Sequence, residues 1–247
     1  MSGFFAGAAR ISQAAPAITV VPFTVGFWQN TDAGANRCSW SLAASASTAS
    51  WRTFNVAAEM RIGNNDGTTN TNCVIAGSVV SGEWAYIVAR VISATNRKLC
   101  MLKAGGGILH GSDTTSVTLP TPVKMCIGAF DSTGIANAYA GQIAEFWMAD
   151  IDVQADGAQL DEALMLQLAY KGPFSVPHLQ GRITEYISFR NPQVTATGAS
   201  IVDGAADFYQ RKASPWLVAN TGTQLSDHPA LYGTYVRRNQ GRRLLVV

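Results

Sequence analysis

The sequence predicts an all-β fold: an antiparallel sandwich with one short helix and extended terminal arms. Three observations lead there. Seven or so short apolar segments recur at roughly regular spacing, separated by Gly, Asn, Asp and Ser turns. Aromatic and β-branched residues concentrate in those segments, as in EWAYIVARVI (83–92). Only one stretch carries helical periodicity. With 247 residues, 47% hydrophobic and 14% charged, the chain has apolar material for one large β domain and too little charge for a disordered one.

Residues 1–18, rich in Ala, Ser and Gly, show no sustained period and are expected to form an N-terminal arm. PFTVGFW (22–28) alternates, with Phe23, Val25 and Phe27 on one face and Thr24 and Gly26 on the other, as in a half-buried strand. WRTFNVAAEMRI (51–62) reads as one further strand, closed by the turn-rich run GNNDGTTNTN (63–72). CVIAGSVV (73–80), EWAYIVARVI and KLCMLK (98–103) follow, with Asn96 marking a turn between the last two. VKMCIGAF (123–130) leads through a Gly- and Ala-rich loop into GQIAEFWMADIDV (141–153).

A helix is predicted over 157–171, with Asp156 as its cap and Gln159 as the reciprocal partner. Leu160, Leu164 and Leu168 give it an apolar stripe, and Gly172-Pro173 stops it. GRITEYISFR (181–190) reads as a last strand, which makes 19–190 the sandwich domain and 191–247 a C-terminal extension.

Composition and motifs argue against several functions. A net charge of +2 does not suit a dedicated nucleic-acid binder. The N-terminal stretch lacks a basic region ahead of its apolar residues and is too short and broken to span a bilayer. Cys38, Cys73, Cys100 and Cys126 are spaced 35, 27 and 26 apart with no C-x-x-C, so buried thiols fit better than a zinc site, and disulfide pairing is left open. GSVVSG (77–82) lacks the spacing of a serine-nucleophile elbow. AGGGILHG (104–111) lacks the order of a dinucleotide loop and reads as a connection between strands, with His110 a surface histidine.

Several segments in order resemble the laminin G-like (LamG) branch of the concanavalin A-like lectin/glucanase superfamily. These are FTVGFW (23–28), GEWAYIVARVISATNRKLCMLKAGG (82–106) and KMCIGAFDSTGIANAYAGQIAEFWMADIDV (124–153), followed by the helix. The resemblance covers roughly residues 20–170 and implies a jelly-roll sandwich. A narrower likeness runs through LAYKGPFSVPHLQGRITEYISF (168–189), LSDHPALYG (225–233) and the Arg-rich apolar tail. It is to LamG-type proteins of tailed bacteriophages and prophages. It implies a non-enzymatic structural protein of the virion (capsid, neck or tail), made in the bacterial cytoplasm. Such a protein would act through contacts with other virion proteins and with copies of itself. The alternative is a carbohydrate-binding module or host-receptor adhesin that meets a surface glycan.

The glucanase branch carries E-x-D-x-x-E on one strand, because residues two apart share a face and can flank a glycosidic bond. Here Glu145 is followed at +2 by Trp147 and at +5 by Asp150. That offset puts Glu145 and Asp150 on opposite faces, roughly 16 Å apart along a strand. Asp150 and Asp152 would share a face at about 6–7 Å if the strand continued. They fall where it is expected to give way to a loop, so no catalytic residue is assigned. Phe146 and Met148 are expected on one face of that strand and Trp147 on the other.

No cofactor is expected beyond calcium, which some LamG relatives bind at the rim. Asn64, Asn65 and Asp66 offer oxygen ligands, with Asp113 and Asp131 as further donors, although the same run reads equally as a tight turn. Trp40, Trp51 and Trp84 are candidate glycan contacts, with burial the commoner fate of a tryptophan. In the tail YVRRNQGRRLLVV (235–247), Arg237, Arg238, Arg242, Arg243, Leu244 and Leu245 are candidates for partner docking by edge-strand addition. A solvated end and a nucleic-acid-contacting arm are the other readings of that tail.

Overall fold

The computed structural model describes residues 2–5, 10–31, 36–44, 49–103, 106–131 and 135–187, with three further short strands at 200–201, 216–218 and 224–226. In chain order the strands begin with β1 (Ser2–Phe5), β2 (Ile11–Ala14), β3 (Phe23–Thr31), β4 (Arg37–Ala43), β5 (Ser50–Val56) and β6 (Glu59–Asn65). They continue with β7 (Asn70–Ile75), β8 (Trp84–Ser93), β9 (Asn96–Lys103), β10 (Ile108–Asp113), β11 (Lys124–Ile127), β12 (Phe130–Asp131), β13 (Ile135–Ala136) and β14 (Gly141–Ala149). The helix α1 (Glu162–Lys171) precedes β15 (Ile183–Ile187), β16 (Ser200–Ile201), β17 (Trp216–Val218) and β18 (Gln224–Ser226).

Two antiparallel sheets form the sandwich. The first has the order β10-β9-β8-β3-β14-β1-β18, with β15 also paired to β14, and the second β16-β17-β2-β11-β4-β5-β6-β7. The stretch 1–18, expected as an arm, supplies a strand to each sheet: β1 on β14 and β2 on β11. The extension supplies β18 beside β1 and β17 beside β2.

The strand alternation read from PFTVGFW holds. Phe23, Val25 and Phe27 enter the inter-sheet core with Trp40, Leu42, Trp51, Ile62, Ile87, Phe146 and Met148. The opposite face of the first sheet is buried as well. Trp28, Tyr86, Leu102, Ala144 and Trp147 pack there under Val153, Leu160, Met165, Leu168 and Leu179 from the segment that follows β14. Gly26 makes this second layer fit, because a Cβ at that position would fall inside the Trp147 ring. The Trp147 indole N–H donates to the Tyr86 hydroxyl at 2.8 Å. A third, smaller cluster of Cys38, Ala43, Phe54 and Phe130 lies apart from these two. All four cysteines are buried, and none of them forms a disulfide.

Three sequence expectations need correction. Residues 51–62 are not one strand but most of a hairpin, β5 and β6, turning at Ala57 and Ala58. Ala57 adopts φ +51° without the Gly or Asn that normally announces such a turn. The stretch 104–111, read as a connection, contains the start of the edge strand β10. The helix begins at Glu162 rather than 157, because Gly157 takes φ +62° and Ala158 is extended, which breaks the helical path. Asp161 is the N-cap residue, its carbonyl accepting the Met165 N–H at 2.9 Å. The C-terminal stop at Gly172 is as expected, with φ +79° and its N–H donating to Leu168.

Candidate functional site

The carboxylates of the β14 region go to separate structural partners. Glu145 stands at a β-bulge: Ala144 pairs with Trp28 and Trp147 with Gly26, leaving Glu145 and Phe146 together opposite Phe27. Its φ of +48° lies in the left-handed region, which is uncommon for a residue other than glycine. The extra residue resets the alternation, so Ile143, Phe146 and Met148 all face the inter-sheet core while Trp147 faces the other way, the faces expected for Phe146, Trp147 and Met148. The buried Glu145 carboxylate accepts the Tyr186 hydroxyl. Asp150 pairs with Arg182 at 2.9 Å on the surface.

Asp152 forms a two-pronged pair with Arg90, at 2.6 Å to Nε and 2.8 Å to an NH2 group. Arg90 is 1% exposed. Its remaining donors reach the carbonyls of Gln154 (2.9 Å) and Ala158 (2.6 Å), which pins the segment after β14 onto the first sheet. A second buried arginine repeats the device. Arg97 holds Asp113 at 2.6 and 3.0 Å and also donates to the carbonyls of Ala94 and Thr115. Burial acts to raise the Asp113 pKa, but the Thr115 N–H and the Arg97 guanidinium outweigh it and hold the carboxyl below its ordinary value. Both arginines escaped the sequence reading. The available signal was a lone Arg inside the apolar run YIVARVI.

The calcium candidates do not come together. Asn64 is wholly buried, facing the inter-sheet core beside Ile62 and Met60 rather than the rim. Asn65 Oδ1 accepts the Gly67 N–H at 2.7 Å. Asp66 closes a tight turn: Oδ1 accepts the Thr69 and Thr68 N–H groups (2.7 and 2.9 Å) and the Thr68 hydroxyl, while Oδ2 accepts the Thr118 N–H at 3.2 Å. Those hydrogen bonds, from Thr69 and Thr68 foremost, hold the Asp66 carboxyl far below the usual carboxylate range. Asp113 is already committed to Arg97. Among the described residues no three His, Cys, Asp or Glu side chains gather as a metal site would need. The turn reading of NNDG is the one the geometry fits.

Of the glycan candidates, Trp40 and Trp51 are both 0% exposed, edge-on to Phe23 with ring centroids 6.3 and 5.1 Å away. They are core residues, and a sugar cannot reach them. Trp84 differs. Ala85, Ile87 and Ala89 take the inner face of β8, so Trp84 lies on the outer face with Tyr86, half-buried against the second apolar layer. Near it Glu83, Lys103, Gln29 and Thr31 line a small recess at the sandwich rim.

An exposed aromatic adjoins the same layer. Tyr170, at the end of α1, is 46% exposed and its ring lies 6.0 Å from that of Trp28, whose indole N–H donates to the Ala169 carbonyl at 3.1 Å. The sequence reading missed Tyr170 because its neighbours at Leu164 and Leu168 drew attention to the buried side of the helix. Trp84 and Tyr170 thus flank the Trp28–Tyr86 pair, whose centroids are 5.2 Å apart. The docking candidates Arg237, Arg238, Arg242, Arg243, Leu244 and Leu245, and the side chain of Asp131, lie outside the described residues. No described helix is long and apolar enough to cross a membrane.

No family model and no curated protein matches the chain. Solved structures do. A Bacteroides ovatus protein proposed to bind carbohydrate aligns with a TM-score of 0.55 at 12% identity, over 92% of this chain and 60% of its own. A heptameric SAP-like pentraxin from Limulus polyphemus aligns at 0.49 and 14% identity, over 68% of this chain and 81% of its own. Domains LG4-5 of the mouse laminin α1 chain align at 0.46 and 13% identity, over 60% of this chain and 40% of their own. The chain thus spans less than two thirds of the Bacteroides and laminin structures. At such identities the likeness is one of fold alone, an antiparallel jelly-roll sandwich.

Proposed function

We propose that this chain is a non-catalytic recognition module with carbohydrate as its target class, read through the aromatic rim around Trp84 and Tyr170. The observation that carries the reading is the placement of half-buried Trp84 and exposed Tyr170 on the same outer apolar layer as Trp28 and Tyr86, with Trp84 also lining a recess with Glu83, Lys103 and Thr31. Sugars present apolar C–H faces edged by hydroxyls, and a flat ring beside polar side chains answers both. The similarity in fold to a Bacteroides protein proposed to bind carbohydrate is consistent with this. The non-catalytic part rests on the separate structural partners of Glu145, Asp150 and Asp152. A glycosidase needs two carboxyl groups facing one bond.

Screening the purified protein on a glycan array tests the proposal. Binding should appear, and Trp84→Ala and Tyr170→Ala should each weaken it about tenfold, close to 1.4 kcal/mol, with thermal stability near that of the parent. A blank array, or binding indifferent to both substitutions, would reject the rim as the site.

A second reading makes the module a structural component of a tailed-phage virion, held by contacts between copies and with other virion proteins. Its support is the likeness of 168–189 and 225–233 to phage proteins. The two readings combine in an adhesin displayed on a particle. Co-sedimentation with particles would support the virion setting, and a monomer absent from particles would remove it.

A further inference from the structure

A row of side chains on the inner face of the second sheet carries polar atoms that find no partner among the described residues. In register across three strands, Trp51 of β5 faces Asn64 of β6, and Asn64 faces Thr71 of β7. Each points into the inter-sheet core, as the alternation with Met60 and Ile62 on β6 and with Cys73 and Ile75 on β7 requires. All three are buried. Among the described residues, the Trp51 indole nitrogen, both amide atoms of Asn64 and the Thr71 hydroxyl find no hydrogen-bond partner. Flipping the Asn64 amide does not help, because its oxygen and its nitrogen are both unpartnered.

Buried polar groups in folded proteins are almost always satisfied, by protein or by ordered water. We infer that this row is a binding site for internal water, with Asn64 at its centre. The donor set selects the ligand. The indole can only donate, the hydroxyl donates or accepts, and the amide does both. A metal cation would face the N–H hydrogens of Trp51 and Asn64, and an anion would face the Asn64 carbonyl oxygen. A neutral molecule that donates and accepts at once fits all three. Water does so by accepting from Trp51 and donating to the Asn64 carbonyl. Neighbouring strands lie about 4.8 Å apart, so the three side chains stand side by side, close enough for a water to bridge adjacent members.

The contrast with two other indoles supplies the control. Trp28 donates to the Ala169 carbonyl and Trp147 to the Tyr86 hydroxyl, so neither requires water. The experiment is water-to-protein cross-relaxation by NMR on the 15N-labelled chain, with the Trp51 indole signal assigned by its disappearance in Trp51→Phe. The expected result is a cross-peak from long-lived water to the Trp51 indole N–H, absent at Trp28, and lost or strongly reduced in Asn64→Leu. A Trp51 signal as silent as that of Trp28 in the unsubstituted protein would overturn the inference. So would a cross-peak that keeps its full intensity in a folded Asn64→Leu variant. Should that variant fail to fold, the measurement on the unsubstituted chain decides alone.

Discussion

The two sheets face each other across one core, yet their outer faces are built differently. The central strands of the first sheet are buried on both sides: eight of nine positions in β3 and seven of nine in β14 are buried. In the second sheet the central β4 is buried at six of seven positions, but towards the edge β7 alternates strictly between buried and partly or fully exposed positions, and β6 does so over its first half. The difference lies in the segment after β14, which folds back over the first sheet and has no counterpart of that size on the second among the described residues. That segment makes a third layer on one side of the sandwich. The added layer requires one glycine under a tryptophan and one buried arginine to fasten the covering segment.

Breaking that fastening should have the largest effect. Asp152→Ala leaves Arg90 buried without its carboxylate, and a loss of about 3–5 kcal/mol is expected in urea unfolding. A value under 1 kcal/mol would mean that the covering segment is not held by this pair. Next comes Gly26→Ala. The new methyl group collides with Trp147, and overpacking of this kind costs about 2–3 kcal/mol; pairing it with Trp147→Leu should recover part of that loss, seen as a melting temperature above that of the single variant. The smallest effect belongs to the second sheet. Arg61 pairs with Glu59 on its partly exposed face, so Arg61→Ala should change stability by less than about 1 kcal/mol. Equal losses for Asp152→Ala and Arg61→Ala would erase the distinction between the two faces.

The same contrast explains what could be read in advance. Strands flanked by strong turn signals were legible, and so were the opposite faces of Phe146 and Trp147, because period-two alternation survives wherever no residue is inserted. The hairpin at Ala57 was not, since alanine in a left-handed conformation leaves no mark in the sequence. Nor was the helix start, which depends on the backbone conformation of Gly157 and Ala158 rather than on the capping pattern at Asp156. For the site, three tryptophans looked equivalent along the chain. Only strand register shows that Trp40 and Trp51 point inward while Trp84 points out. The bulge at Glu145 and the partners of Asp152 are long-range features, separated by 41 and 62 residues from the groups that meet them.

Three of the four buried thiols are distributed one to each apolar cluster. Cys73 belongs to the space between the sheets, Cys100 to the layer beneath the helix and Cys38 to the small cluster with Phe54 and Phe130. Burial pushes each of these three thiols up to about 12, which suppresses the reactive thiolate at neutral pH. An alkylating reagent must therefore wait for the surrounding compartment to open before it can mark the sulfur within. Without any engineering, the chain carries a separate clock for each of its three apolar compartments, and the order in which the clocks run down is the order in which the molecule comes apart.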